Sequence, residues 1–136
     1  GKSIAMNDII EILSQKVLFI SSGKTTEESV KEAEIRLGVN FAKEYREYVC
    51  SFGTASYYGH ELTGISKNEP LLDVVDITLA EREFLKDIPN TWYVIEQTHM
   101  DGIVIWQDEK GKVFRTIPNK SAEKIFDSLC EYIEKG

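Results

Sequence analysis

Apolar positions recur at helical spacing in two consecutive blocks between Thr25 and Gly53. In the first, Val30, Ala33 and Leu37 fall on one face, and Gly38 stands where a left-handed residue would end a helix. Thr25 and Glu28 have the spacing of a capping box, in which hydroxyl and carboxylate satisfy orphan N–H groups at the helix start. In the second, Phe41, Tyr45, Tyr48, Val49 and Phe52 share a stripe that Gly53 closes. Upstream, Met6, Ile9, Ile10, Leu13 and Val17 repeat at the same spacing, with Ser3 or Asn7 as cap. Ser21-Ser22-Gly23-Lys24 reads as a loop, and YYGHELTGI (57–65) as a turn followed by a strand.

The period changes beyond Ile65. Ser66 to Pro70 is a polar turn, and Leu71 to Ile77 carries the acidic pair Asp73 and Asp76. Thr78 and Glu81 form a second capping-box pattern, which predicts a helix to about Lys86 that stops before Pro89. The segments 91–98, 102–107 and 112–117 are rich in β-branched and aromatic residues. Asp108 to Gly111 supplies a turn, so the three read as an antiparallel meander. Ser121 is placed to cap a last helix with Ala122, Ile125, Phe126, Leu129, Cys130 and Ile133 inward. Helices first, then strands, then a helix predict an α+β fold, in which N-terminal helices and a C-terminal helix pack on one face of a mostly antiparallel sheet.

The ordered set Glu34, Leu37-Gly38, Val39, Phe41, Tyr45, Tyr48-Val49 and Gly53 resembles the SUKH superfamily, which includes fungal regulators of cell-wall synthesis and bacterial immunity proteins. Glu61-Leu62-x-Gly64-Ile65 is similar to that family's first strand, and Ala42 occupies a position where the family carries proline. The resemblance spans about two thirds of the chain. It implies the same α+β arrangement, and a partner that is a secreted toxin domain, often a nuclease with a cationic groove.

Composition limits the alternatives. A chain of 136 residues suits one domain spanning 1–136, and area scaling buries roughly two thirds of the unfolded surface. No apolar run approaches the ~20 residues of a membrane span, and the N-terminus lacks a signal-peptide layout, with Gly1 reading as an expression scar. The expected setting is cytoplasmic. Cys50 and Cys130 sit on apolar helical stripes and read as buried thiols rather than a disulfide. With 23 acidic against 16 basic residues the formal charge is −7. That repels phosphate backbones, disfavouring direct nucleic-acid contact, and attracts a basic protein surface.

Catalytic chemistry finds no foothold. His60 and His99, the only histidines, have no metal-ligand spacing and read as turn or sheet-edge residues. No serine lies in a GxSxG elbow, and Gly23-Lys24-Thr25 lacks the upstream glycine of a phosphate loop. Glu61, Asp73, Asp76 and Asp101 would make a glycosidase pair only if folding set two of them the right distance apart. The expectation is a non-enzymatic protein without cofactor or metal. Its candidate partner-binding residues are Tyr57, Tyr58, Glu61, Asp73 and Asp76, beside His60 at the mouth between helices and sheet. Tyrosines supply contact area at low entropic cost, and acids steer a basic partner. The plainer readings are core cover for the tyrosines, a solvated strand edge for Asp73 and Asp76, and core packing for Trp92 and Trp106. Two further functions fit the same residues: a regulatory adaptor of cell-wall synthesis, and a small-ligand or glycan-binding module.

Overall fold

A computed structural model of the chain describes residues 8–136. The expected caps Ser3 and Asn7, the stripe residue Met6, and Gly1 lie outside these residues. Helix α1 (Asp8–Ser14) buries Ile9 and Leu13. It stops earlier than its apolar stripe implies, and Val17 lies beyond it, 68% exposed. A two-residue strand β1 (Ile20–Ser21) follows and takes Ser21 from the expected loop.

Helix α2 (Glu27–Leu37) buries Val30, Ala33, Glu34 and Leu37, and Gly38 ends it at φ 71°, ψ 34°. Its cap is Thr26, not Thr25: Thr26 Oγ1 accepts from Ser29 N at 3.1 Å. Thr25 instead donates to Ile65 O at 2.6 Å, tying this corner to the sheet. Buried Glu34 accepts from Phe41 N at 2.8 Å, with Arg46 at 3.7 Å. A carboxylate there satisfies a buried N–H in the bend between helices, where an unmet donor would cost about 1–3 kcal/mol. Helix α3 (Lys43–Phe52) sinks Tyr45, Tyr48 and Val49 into the core. Ala42, which precedes it, gives its N–H to Tyr93 Oη at 2.9 Å, a bond that proline could not make.

The hairpin of β2 (Ala55–Tyr57) and β3 (His60–Leu62) turns through Tyr58-Gly59, with Gly59 at φ 77°. Two strands therefore precede the Glu61–Leu62 segment. A short 3-10 turn (Pro70–Leu72) leads to α4 (Val74–Phe84), whose cap is Asp73, accepting from Asp76 N at 2.9 Å. The Thr78–Glu81 capping box is thus absent. Thr78 lies inside the helix, and its hydroxyl accepts from Val94 N at 3.0 Å.

Strands β4 (Tyr93–Gln97), β5 (Val104–Gln107) and β6 (Val113–Thr116) form the expected meander. Strand β7 (Glu123–Phe126) and helix α5 (Leu129–Lys135) replace the single last helix. Ser128, not Ser121, caps α5: it accepts from Glu131 N at 3.0 Å while Glu131 reaches back to Asp127 N at 2.8 Å. Glu44, on α3, also receives Leu129 N at 2.6 Å. The seven strands among the described residues pair antiparallel in chain order, so the fold is α+β. Tyr93, Ile105 and Val113 face the core shared with α1, α3 and α5, whereas Val94, Val104 and Trp106 face Ile77 of α4 and Trp92. Helix α4 therefore covers the reverse face. Trp106 is fully buried, donating to Thr116 Oγ1 at 2.9 Å; Trp92 stacks on Phe114 at 3.9 Å. Cys50 and Cys130 are half-buried and are not joined in a disulfide.

An aromatic cluster ties α3 to the sheet. Tyr45, Tyr93 and Phe41 pack edge-on or tilted, with ring centres 4.7–5.0 Å apart. Tyr48 donates to Thr63 O at 2.7 Å and Tyr93 to Gln107 Oε1 at 2.8 Å. Burial pushes the hydroxyls of Tyr45, Tyr48 and Tyr93 well above the ordinary tyrosine range; burial and the Glu96 charge do the same to Tyr57 and Tyr132. Above about pH 10 the unfolded chain sheds these protons while the folded chain keeps them, so stability present below that pH is lost as pH rises. Urea midpoints should fall steadily above about pH 10, with the tyrosinate absorbance of these five residues appearing only as the fold is lost. Tyrosinate formed before unfolding would contradict this.

Candidate functional site

The β2–β3 hairpin gathers the exposed chemistry. Alternation along β3 sends His60 and Leu62 to the core side and Glu61 to the α4 side. Tyr58 stands at the tip, 74% exposed. On the α4 side, Glu61 and Glu69 line a cleft of about 340 Å³, floored by Thr63, Leu72 and Ile77 and closed by Gln97 and His99. A second hollow of about 260 Å³ continues past Leu71, Ile77 and Gln97 to Asp76 and Glu81. Neither is lined by a lysine or arginine. Among the described residues, no cation pairs with Glu61, Glu69 or Asp76. Glu81 is held by Gln97, whose amide donates to it. Leu71, 88% exposed, projects between the two hollows. Four carboxylates around an exposed leucine offer a partner negative potential and an apolar contact together.

The five predicted residues divide. Glu61 lines the first hollow and Asp76 the second, and the two hollows share Leu71, Ile77 and Gln97. Asp73 does not join them as a free contact, because its carboxylate is spent on capping α4. It also caps a helix rather than sitting on a strand edge. Tyr58 is free at the hairpin tip. Tyr57 is a correction: it is only 5% exposed, stacked on His60 at 4.9 Å within the core side. Sequence reasoning missed Glu69, Leu71 and Glu81. Glu69 sits directly before a proline-started turn, and that pairing was the available signal.

Behind His60 lies a buried polar network. Glu96, 3% exposed, accepts from Tyr132 Oη at 2.5 Å and from Glu61 N at 2.9 Å, and its Oε1 lies 2.9 Å from His60 Nδ1. A register shift between Val94 and Glu96 puts it there: the extra residue, Ile95, turns Glu96 to the core side instead of the α4 side. With donors on both oxygens, the carboxylate anchors hairpin, β4 and α5 to one another. His99 lies in the turn after β4 at φ 59°. Among the described residues, no group of three or more His, Cys, Asp or Glu side chains could hold a metal ion. No helix among them is long and apolar enough to cross a membrane.

The family model described as SUKH_5, SMI1-KNR4 cell-wall, matches residues 6–135. No curated protein matches the chain.

Proposed function

From the premise that this chain belongs to the SUKH_5 (SMI1-KNR4) family, we propose that it is a non-enzymatic immunity protein that binds a toxin domain and blocks it. The observation that carries this reading is the cleft of unpaired acids around Leu71, next to the exposed tip Tyr58. Such a surface fits a basic toxin, as a nuclease with a cationic substrate groove would be, and the −7 charge steers the two together. The capped helices and the anchored hairpin leave little to order on binding, which favours affinity. Neutralisation then follows from occupying the groove that the toxin's substrate needs, in the cytoplasm where the toxin acts. No chemistry by this chain is required.

The test is co-expression with a toxin-like gene found next to its own. Restored growth with a co-purifying complex supports immunity; continued killing, with the chain soluble and no complex, overturns it. The family's cell-wall description favours regulatory adaptation as the second reading. On that reading, deletion of the gene would alter cell-wall synthesis in the absence of any toxin.

A further inference from the structure

A second recognition surface lies on the opposite flank of the hairpin. Strand β1 is one edge of the sheet, and no described strand pairs with its outer side. The other edge, β7, is guarded by charge: Glu123 pairs with Arg115, and Lys124 with Asp127. Charged side chains on an edge discourage strand addition. Strand β1 carries none. Around it Val17, Leu18, Ile20 and Tyr58 are 66–74% exposed, which gathers four large apolar side chains at one corner. Tyr58 N donates to Val17 O at 3.1 Å, which fixes the tip against this segment. Ser22 N bonds inward to Phe52 O at 3.0 Å, and alternation along a strand therefore aims the N–H of Ser21 at the open edge.

Beside the edge runs a groove of about 400 Å³ between the hairpin and α5. Lys16, His60 and Lys135 line it, with Val17, Tyr58 and Ile133 as its apolar wall. Glu134 is its single acidic lining residue. Lys16 Nζ rests 5.8 Å from the Tyr57 ring, and Lys135 lies 3.6 Å from Glu131. His60 gives Nδ1 to the Glu96 bond, leaving Nε2 without a partner among the described residues. This concavity carries two lysines, where the acidic cleft across the hairpin has neither lysine nor arginine.

We propose that β1 and this groove receive an extended, acidic and apolar segment of another protein by strand addition. Its backbone continues the sheet at Ser21, its acidic side chains meet Lys16 and Lys135, and its apolar ones cover Val17, Ile20 and Tyr58. Main-chain pairing supplies affinity and alternate side chains supply selectivity. An anionic bilayer fits less well, because it offers no strand to complete the ladder and repels the net charge. This surface meets the acidic cleft only at the hairpin tip, Tyr58, and its ligand has the opposite charge.

The test pans a phage-displayed library of random dodecapeptides on the full chain and measures the winning peptide by fluorescence anisotropy. The enriched sequences should alternate apolar residues with Asp or Glu. Ser21→Pro, which an edge strand tolerates, and the double variant Lys16→Glu/Lys135→Glu should each weaken binding at least about tenfold without lowering the melting temperature. A basic consensus, no consensus, or equal binding by the charge-reversed variant overturns the proposal. So does sedimentation of the chain with phosphatidylserine vesicles that the peptide fails to prevent.

Discussion

Gly64→Ala is expected to abolish the native fold. A Cβ at this position would lie 1.7 Å from Gly53 O and 2.8 Å from Gly53 C, both backbone atoms. The crossing is held by Ile65 N donating to Gly53 O at 3.0 Å, and by Gly64 exchanging bonds with the start of α4, to Leu72 O and from Val74 N, each at 2.9 Å. Backbone pinned on three sides cannot retreat by the ångström or more that a methyl needs. The cost belongs among the exceptional single substitutions, on the order of 4 kcal/mol or more, against a total stability of about 5–15. Thermal melting followed by circular dichroism checks it; a cooperative transition within a few degrees of the unmodified chain would contradict it. Gly53, at φ 72° with a would-be Cβ 2.4 Å from Gly23 O, is the other half of the same crossing. Both glycines stand in the segments that carry the family resemblance, and close backbone approach is the physical reason they are glycine.

Such local demands are what a sequence displays well. Helices α2 and α3, their glycine stops and the β4–β6 meander were legible because period and turn chemistry agree within ten or so residues. Where a local pattern misled, tertiary contacts decided. Thr78 with Glu81 read as the helix start, but the Thr78 hydroxyl accepts from Val94 N inside the helix and Asp73 caps it instead. Ser121 read as the last cap in the same way, but Ile125 and Phe126 suit a strand as well as a helix, and pairing with β6 took them. Strands β1 and β2, two and three residues long, are too short to print a period. At the site, parity was the obstacle. Whether Tyr57 or Tyr58 faces water depends on where the hairpin turns, and Glu96 reaches the core side only through a bulge that no residue type announces.

The second large effect concerns binding. Glu61→Lys/Glu69→Lys/Asp76→Lys should cost the complex with a basic toxin roughly a hundredfold in affinity. Each exposed pair contributes about 0.2–1 kcal/mol, and reversal replaces it with repulsion of similar size, which sums to about 3 kcal/mol over three sites. Most of the loss should appear as slower association, and raising ionic strength should shrink it, because screened charges steer poorly. The side chains of Glu61 and Glu69 make no hydrogen bond or ion pair among the described residues. Lysine at Asp76, in the first turn of α4, costs less than about 1 kcal/mol of stability. Asp73 is left out deliberately, since its loss removes the α4 cap and about 1 kcal/mol of stability with it. Unchanged association kinetics in a folded triple variant would place the binding face elsewhere.

The most direct measurement is amide hydrogen exchange of the chain alone and in complex with its toxin. Binding at the acidic cleft predicts slowed exchange across residues 58–77, from the hairpin tip through Leu71 into the first turn of α4, and around Gln97. Protection confined to α2, α3 or β7, with the cleft exchanging as in the free chain, would contradict the account.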